Sequence, residues 1–259
     1  MNMTPLHRHQ GFRGHAVMTE HIVRSYDADL EGIRRSLAEM GGMAERMLGD
    51  STIALIRRDT TLSQKIISAD QRLDNLQREV EEKSVLTIAR RQPLAVDLRE
   101  LISAIRIAAD LERVGDLAKN IAKRAVAIAG QPQPPHRAVV GLEHISRLVQ
   151  AQLKDVLDAY AGGNEQKAME VWRRDDEIDA LYTSLFRELL TYMMEDPRNI
   201  TFCTHLLFCA KNVERIGDHT TNIAETIHYL ATGETLTTDR PKNDGSSFAT
   251  VDPQSSSKA

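Results

Sequence analysis

Aromatic residues are scarce in this 259-residue chain, at 4%. Runs of β-branched residues, which pack well on a pleated sheet, are few beside Leu, Ala, Glu, Arg and Met, all good helix formers. That balance predicts an all-helical protein. Cysteine is rarer still: Cys203 and Cys209 fall six apart in one apolar stretch, on different faces of a helix, and match no zinc or redox spacing. They are expected to be buried free thiols in a reducing compartment. No apolar run approaches the roughly 18 residues of a membrane span, and the N-terminus lacks a signal peptide's apolar core. Neither sign of charge dominates: 33 basic residues are spread along a chain with 37 acidic ones, for a net charge of −4. There is thus no electrostatic footprint for nucleic acid, and no direct membrane insertion is expected. The expected location is the cytoplasm. With 41% hydrophobic residues, the chain can bury one sizeable core or two smaller ones.

What the chain does have is a phrase that it repeats. Glu112-Arg113-Val114-Gly115-Asp116 is followed by Asn120-Ile121-Ala122, and Glu214-Arg215-Ile216-Gly217-Asp218 by Asn222-Ile223-Ala224. From 112 to 214, 116 to 218 and 120 to 222 the offset is always 102 residues, so the copies align without a gap. On a helix, Glu112, Asp116 and Asn120 share one face, as do Glu214, Asp218 and Asn222. The opposite row is apolar: Leu111, Val114, Ala118, Ile121 and Ala125, then Val213, Ile216, Thr220, Ile223 and Ile227. One face packs while the other presents two carboxylates and an amide. Like charges at this spacing disfavour a helix by roughly 0.2–0.5 kcal/mol, so a repeated acidic pair asks for a compensating partner. A cation is the simplest one; a plain solvated face is the bland alternative.

Taken in order, residues 1–18 carry His7, His9 and His15 without apolar periodicity and are expected as a disordered leader. Helices are predicted from about Glu20 to Arg57, from Asp59-Thr60-Thr61 to about Ala89, and from about Leu94 to Ala129 beyond the break at Pro93. Gly41-Gly42 allows a bend or a close helix contact in the first. A proline-rich linker covers 131–136. The plan then repeats: a helix from Arg137 to Tyr160, one from beyond Gly162-Gly163-Asn164 to Met194, and one from Asn199 to Ala231 after Pro197. From 233 to 259 the chain is polar and expected to be disordered. The domains are therefore two tandem three-helix bundles, 19–130 and 137–232, whose short turns oblige neighbouring helices to pack side by side.

Each middle helix carries a second acidic pair, Asp70/Asp74 in the first half and Asp175/Asp179 in the second. If antiparallel neighbours bring the pairs together, Asp70, Asp74, Glu112 and Asp116 form one set of four carboxylates and Asp175, Asp179, Glu214 and Asp218 another. Such oxygens suit Mg²⁺, Ca²⁺ or Mn²⁺, or iron with bridging carboxylates, and a set without histidine or cysteine argues against structural zinc. A di-iron enzyme needs Glu-x-x-His from two helices. Only Glu225-Thr226-Ile227-His228 offers it, since Lys123 stands at the position aligned with Glu225. No Gly-rich phosphate loop, nucleophile elbow or Ser/His/Asp set appears, so nothing demands catalysis.

The stretch Arg91-Gln92-Pro93-Leu94-Ala95-Val96-Asp97-Leu98-Arg99, running on to Asp110-Leu111-Glu112-Arg113-Val114-Gly115-Asp116, resembles the PhoU family of accessory and regulatory proteins of bacterial phosphate transport. Met40-Gly41-Gly42-Met43, Tyr192-Met193-Met194-Glu195-Asp196 and Phe208-Cys209-Ala210 extend the likeness over roughly residues 20 to 233. The resemblance implies two three-helix bundles with E(D)xxxD motifs that bind multinuclear metal in some members. It gives Glu112, Asp116, Glu214 and Asp218 ligand roles, with Asp70, Asp74, Asp175 and Asp179 as partners and iron, Mg, Mn or Zn as candidate ions. Asn120 and Asn222 rank second, by spacing only. It also implies a negative regulator of the phosphate-starvation (Pho regulon) response that links the transporter's ATPase subunit to a sensor histidine kinase. A homodimer is expected. The competing expectation is a carboxylate-metal storage or redox protein.

Overall fold

The structure is a computed structural model that describes residues 13–131 and 136–237, with side-chain surroundings from 26–131 and 139–237. Seven α-helices follow one another among the described residues: α1 (Arg13–Arg57), α2 (Thr60–Arg91), α3 (Ala95–Ile128), α4 (His136–Gly162), α5 (Glu165–Arg173), α6 (Asp175–Glu195) and α7 (Ile200–Thr232). A single 3₁₀ turn at Pro197–Asn199 precedes α7.

Local chemistry places the breaks. Asp59 caps α2 by accepting from the Leu62 amide at 2.9 Å. Gln92 ends α2 in the left-handed region at φ 47°, its amide donating to Ile88, and Pro93 prevents continuation. Asn164 caps α5 through the Lys167 amide, and Gly233 closes α7 at φ 80°.

Two boundaries differ from the sequence expectation. Helix α1 begins at Arg13, so residues 13–18 are helical although the leader was expected to run to 18; no proline lies between Pro5 and Pro93 to stop a helix there. Residues 1–12, 132–135 of the linker and 238–259 of the tail lie outside the described residues. The helix expected to run unbroken to Met194 is interrupted at Arg174 (φ −90°, ψ 6°). There Gln152 of α4 donates to the Arg174 carbonyl at 3.2 Å. Asp175, Asp176 and Glu177 then open α6, where acids complement a helix N-terminus.

Helices α1, α2 and α3 pack together, α4, α5 and α6 pack with α7, and α3 meets α7. The pairing of α3 and α7 is antiparallel, as Asp110 meets His219 while Arg124 stacks on Phe208 and Arg106 on Tyr229. The predicted apolar rows are buried in both copies, from Leu111 to Ala125 and from Val213 to Ile227. A methyl group on Gly41 would lie 2.8 Å from Leu157 of α4, so that glycine serves a close helix contact. Both cysteines are buried and free.

Candidate functional site

The repeated phrase is placed by its glycine. A Cβ at Gly115 would collide with Leu73 of α2, and one at Gly217 would come within 3.2 Å of Ile178 of α6. Each half thus lets its acid-bearing neighbour lie against the phrase. Asp70 and Asp74 flank Leu73 and face α3, while Asp175 and Asp179 flank Ile178 on α6.

In the first half all four carboxylates share one electrostatic neighbourhood. Burial pushes the Glu112 carboxyl upward; Arg113 opposes this, while Asp116, Asp74 and Asp70 add to it. Asp70 is buried and pushed up by burial, against the pull of Lys119. That lysine is the group sequence reasoning missed. Its ammonium donates to Asp70 Oδ2 of α2 and to Asp116 Oδ1 of α3, both at 2.5 Å. Burial opposes its charge, but the hydrogen bonds it donates to Asp116 and Asp70 outweigh burial and hold the lysine protonated. Arg113 adds longer contacts to Glu112 and Asp116.

The second half differs. Glu214 is buried and its carboxyl is pushed up to about 7 by burial, opposed by Lys211 and reinforced by Asp218 and Asp179. Lys211 donates to Glu214 Oε1 at 2.9 Å from the preceding turn of the same helix and lies over the Tyr182 ring. Asp175 and Asp179 are both buried. Both lysines sit three residues from an acid of the phrase, a pairing signal that a search for like charges passes over.

The residues named second do not join these centres. Asn120 is exposed. Asn222 donates to Asp110 Oδ1 at 3.3 Å, on the seam between the halves. The Glu225/His228 pair is engaged elsewhere: Trp172 donates to Glu225, and His228 meets Glu165.

Asp70 Oδ1 and Glu214 Oε2 are buried carboxylate oxygens without a hydrogen-bond partner, one in each centre. A buried acceptor left unpaired is costly, and a hard cation would satisfy it. Among the described residues, no three His, Cys, Asp or Glu side chains are gathered closely enough to hold an ion as they stand. Carboxylate donors are of the kind that suits Mg²⁺, Ca²⁺, Mn²⁺ or iron; Asp70, Asp74, Glu112 and Asp116 would be the ligands in the first half, and Asp175, Asp179, Glu214 and Asp218 in the second. Among the described residues, no helix is long and apolar enough to cross a membrane.

Comparison with known proteins bears on the same two segments. The PhoU domain matches residues 37–125 and 142–227, one match in each half. A phosphate-specific transport system accessory protein PhoU homolog of Rhizobium meliloti is 59% identical over 86% of this chain and 94% of its own. The homolog of Caulobacter vibrioides is 52% identical over 88% and 98%. Among solved structures, PhoU from Pseudomonas aeruginosa superposes with a TM-score of 0.77 at 39% identity, covering 81% of this chain and all of its own. The phosphate transport system regulatory protein PhoU from Streptococcus pneumoniae gives 0.74 at 27%, covering 82% and 99%. With its repeated phrase, its two helical halves and these matches, the chain belongs to the PhoU family.

Proposed function

We propose that this protein is an accessory and regulatory component of a phosphate-specific transport system that restrains the phosphate-starvation (Pho regulon) response when phosphate is plentiful. The observation that carries this reading is the match of both halves to the PhoU domain, together with relatives of that name at 59% and 52% identity over nearly their whole length. It works as a cytoplasmic adaptor, a homodimer that joins the ATPase subunit of the phosphate ABC transporter to the sensor histidine kinase. Long helices suit this role, because they offer extended rigid faces to two partners at once. The protein itself catalyses no reaction.

The acidic centres hold divalent cations or a multinuclear metal group. Asp70 and Asp74 of α2 with Glu112 and Asp116 of α3, and Asp175 and Asp179 of α6 with Glu214 and Asp218 of α7, would hold such a cation, which would supply positive charge to offset their carboxylates. The chain's own part is to orient the carboxylates: Gly115 and Gly217 admit the neighbouring helix, and burial keeps Asp70 and Glu214 poised for a partner.

Alkaline phosphatase output in high phosphate tests the regulatory reading. Deleting the gene is expected to derepress the enzyme, and the transporter ATPase subunit is expected to co-purify with the tagged protein. Unchanged output after deletion, with oxygen-dependent iron loading of the purified protein, would favour the storage or redox alternative.

A further inference from the structure

We propose that the tip of the α2–α3 hairpin, residues 85–99, is a docking surface for a partner protein, and that it receives an amphipathic helical segment whose apolar face is flanked by acidic side chains. This rests on the reading above that the protein works by binding partner proteins.

Ten large apolar side chains stand well out in solvent among the described residues, and five of them, Val85, Leu86, Leu94, Val96 and Leu98, fall between positions 85 and 98. Leu94 is 82% exposed and Val96 64%. Both stand where Gln92 ends α2 and Pro93 leads into α3. The residues that face the bundle interior at this end are Ser84 and Thr87 of α2 and Leu101 of α3, so the fold itself makes little use of the five exposed side chains. A cluster of apolar surface marks a contact site, and removing it from water is what a partner gains by covering it.

The charge around this patch states the chemistry of the partner. From 85 to 99 the chain carries three arginines, Arg90, Arg91 and Arg99, against one acid, Asp97, although its net charge is −4. Arg91 reaches Asp29 of α1 at 3.7 Å. Arg90 is exposed, and among the described residues neither it nor Arg99 forms an ion pair. Arg99 lays its guanidinium against Gly233 at the end of α7, with Nε buried and without a hydrogen-bond partner. The next acid along α3, Glu100, is taken by Arg34 of α1. Positive charge beside an apolar patch suits a segment with Asp and Glu next to an apolar row, which a helix presents at i, i+3, i+4 and i+7. A second copy of this chain fits less well, because a two-fold contact through the patch brings its own arginines together. A lipid surface calls for a cluster of about four to eight basic residues, more than the tip offers.

The test uses the full-length protein and, as probes, the purified transporter ATPase subunit and the purified cytoplasmic part of the sensor kinase, with thermal midpoints measured in parallel. Wild type is expected to bind at least one of them. Leu94→Asp/Val96→Asp and, separately, Arg90→Glu are expected to weaken that binding by about tenfold or more while leaving the midpoint unchanged, since all three side chains are exposed. Val140→Asp on α4 and Met194→Asp/Ile200→Asp at the α6–α7 turn also replace exposed apolar side chains and are expected to bind like wild type. Added salt should weaken the wild-type contact. Wild-type affinity in either tip variant overturns the proposal, as do tighter binding by Arg90→Glu and an equal loss in the variants away from the tip. If Leu94→Asp/Val96→Asp fails to fold, Arg90→Glu decides. Tip variants that keep both proteins but lose self-association, or lose binding to vesicles of phosphatidylcholine and phosphatidylglycerol, identify a second copy or a lipid surface as the occupant and overturn the proposal. Failure of wild type to bind either probe overturns the adaptor reading itself, whereas wild-type binding that the tip variants retain overturns the docking site alone.

Discussion

His219 Nδ1 lies 2.9 Å from Asp110 Oδ1, and this contact between α7 and α3 joins the two halves at the level of the repeated phrases. Asn222 donates to the same oxygen. Both side chains of the His219–Asp110 pair are largely buried, so the contact is shielded from solvent competition. Replacing Asp110 by Ala leaves two polar groups without their acceptor. The expected loss is about 1–3 kcal/mol of unfolding free energy. A denaturant titration measures it, and a midpoint equal to wild type would contradict the clasp.

The glycine of the phrase gives an asymmetric prediction. Gly115→Ala drives a methyl into Leu73, a fully buried side chain, and is expected to destabilise by about 1–3 kcal/mol. Gly217→Ala meets Ile178 at 3.2 Å, a gap that a small shift relieves. There the gain in helix propensity, up to about 1 kcal/mol, offsets the crowding. Thermal midpoints of the two variants should therefore separate, with Gly115→Ala the lower.

Glu214 should impose a pH dependence on the metal-free protein. Its carboxyl titrates near 4.5 ordinarily and near 7 in the fold, so the folded state binds this proton more tightly than the unfolded chain. Its contribution to stability is fully present below pH 4.5 and is lost as pH rises to about 7. In chelator at pH 8, Glu214→Gln is expected to stabilise by up to about 3 kcal/mol, and at pH 4 the difference should vanish. Equal stability of variant and wild type at both pH values would contradict the burial argument.

Thiol chemistry offers a readout of local opening. Burial pushes the Cys209 thiol up to about 12 and raises that of Cys203 as well. Neither forms much thiolate at pH 8, so a thiol reagent should label the native protein slowly and the denatured protein at once. Prompt labelling of Cys209 under native conditions would show that α7 opens there.

The architecture was legible because the apolar rows of the two phrases repeat at helical spacing, and Pro93, Pro197 and the Gly162-Gly163-Asn164 turn punctuate them. The break at Arg174 was not, because apolar residues continue on both sides from Val171 and Trp172 to Ile178. Its signal was the switch from Arg173-Arg174 to Asp175-Asp176-Glu177, basic residues at a helix end followed by acids at a helix start. The acidic pairs could be picked out by spacing, and so could a lysine three residues from an acid of each phrase, but not the reach of Lys119 to a second helix. Whether Lys119 reaches α2 depends on how closely Leu73 lies against Gly115, a tertiary fact. Likewise, nothing in the spacing of Asn222 tells that it turns to Asp110 across the seam between α3 and α7.

The most direct test of the account is phosphatase output in high phosphate from cells lacking the gene and complemented with Glu112→Ala/Asp116→Ala/Glu214→Ala/Asp218→Ala. Protein level and bound metal are measured in the same samples. The account predicts that wild type restores repression while the quadruple variant, at equal protein level, leaves the phosphatase high and carries less metal. Full repression by the quadruple variant at equal protein level would contradict the claim that the two acidic centres take part in regulation.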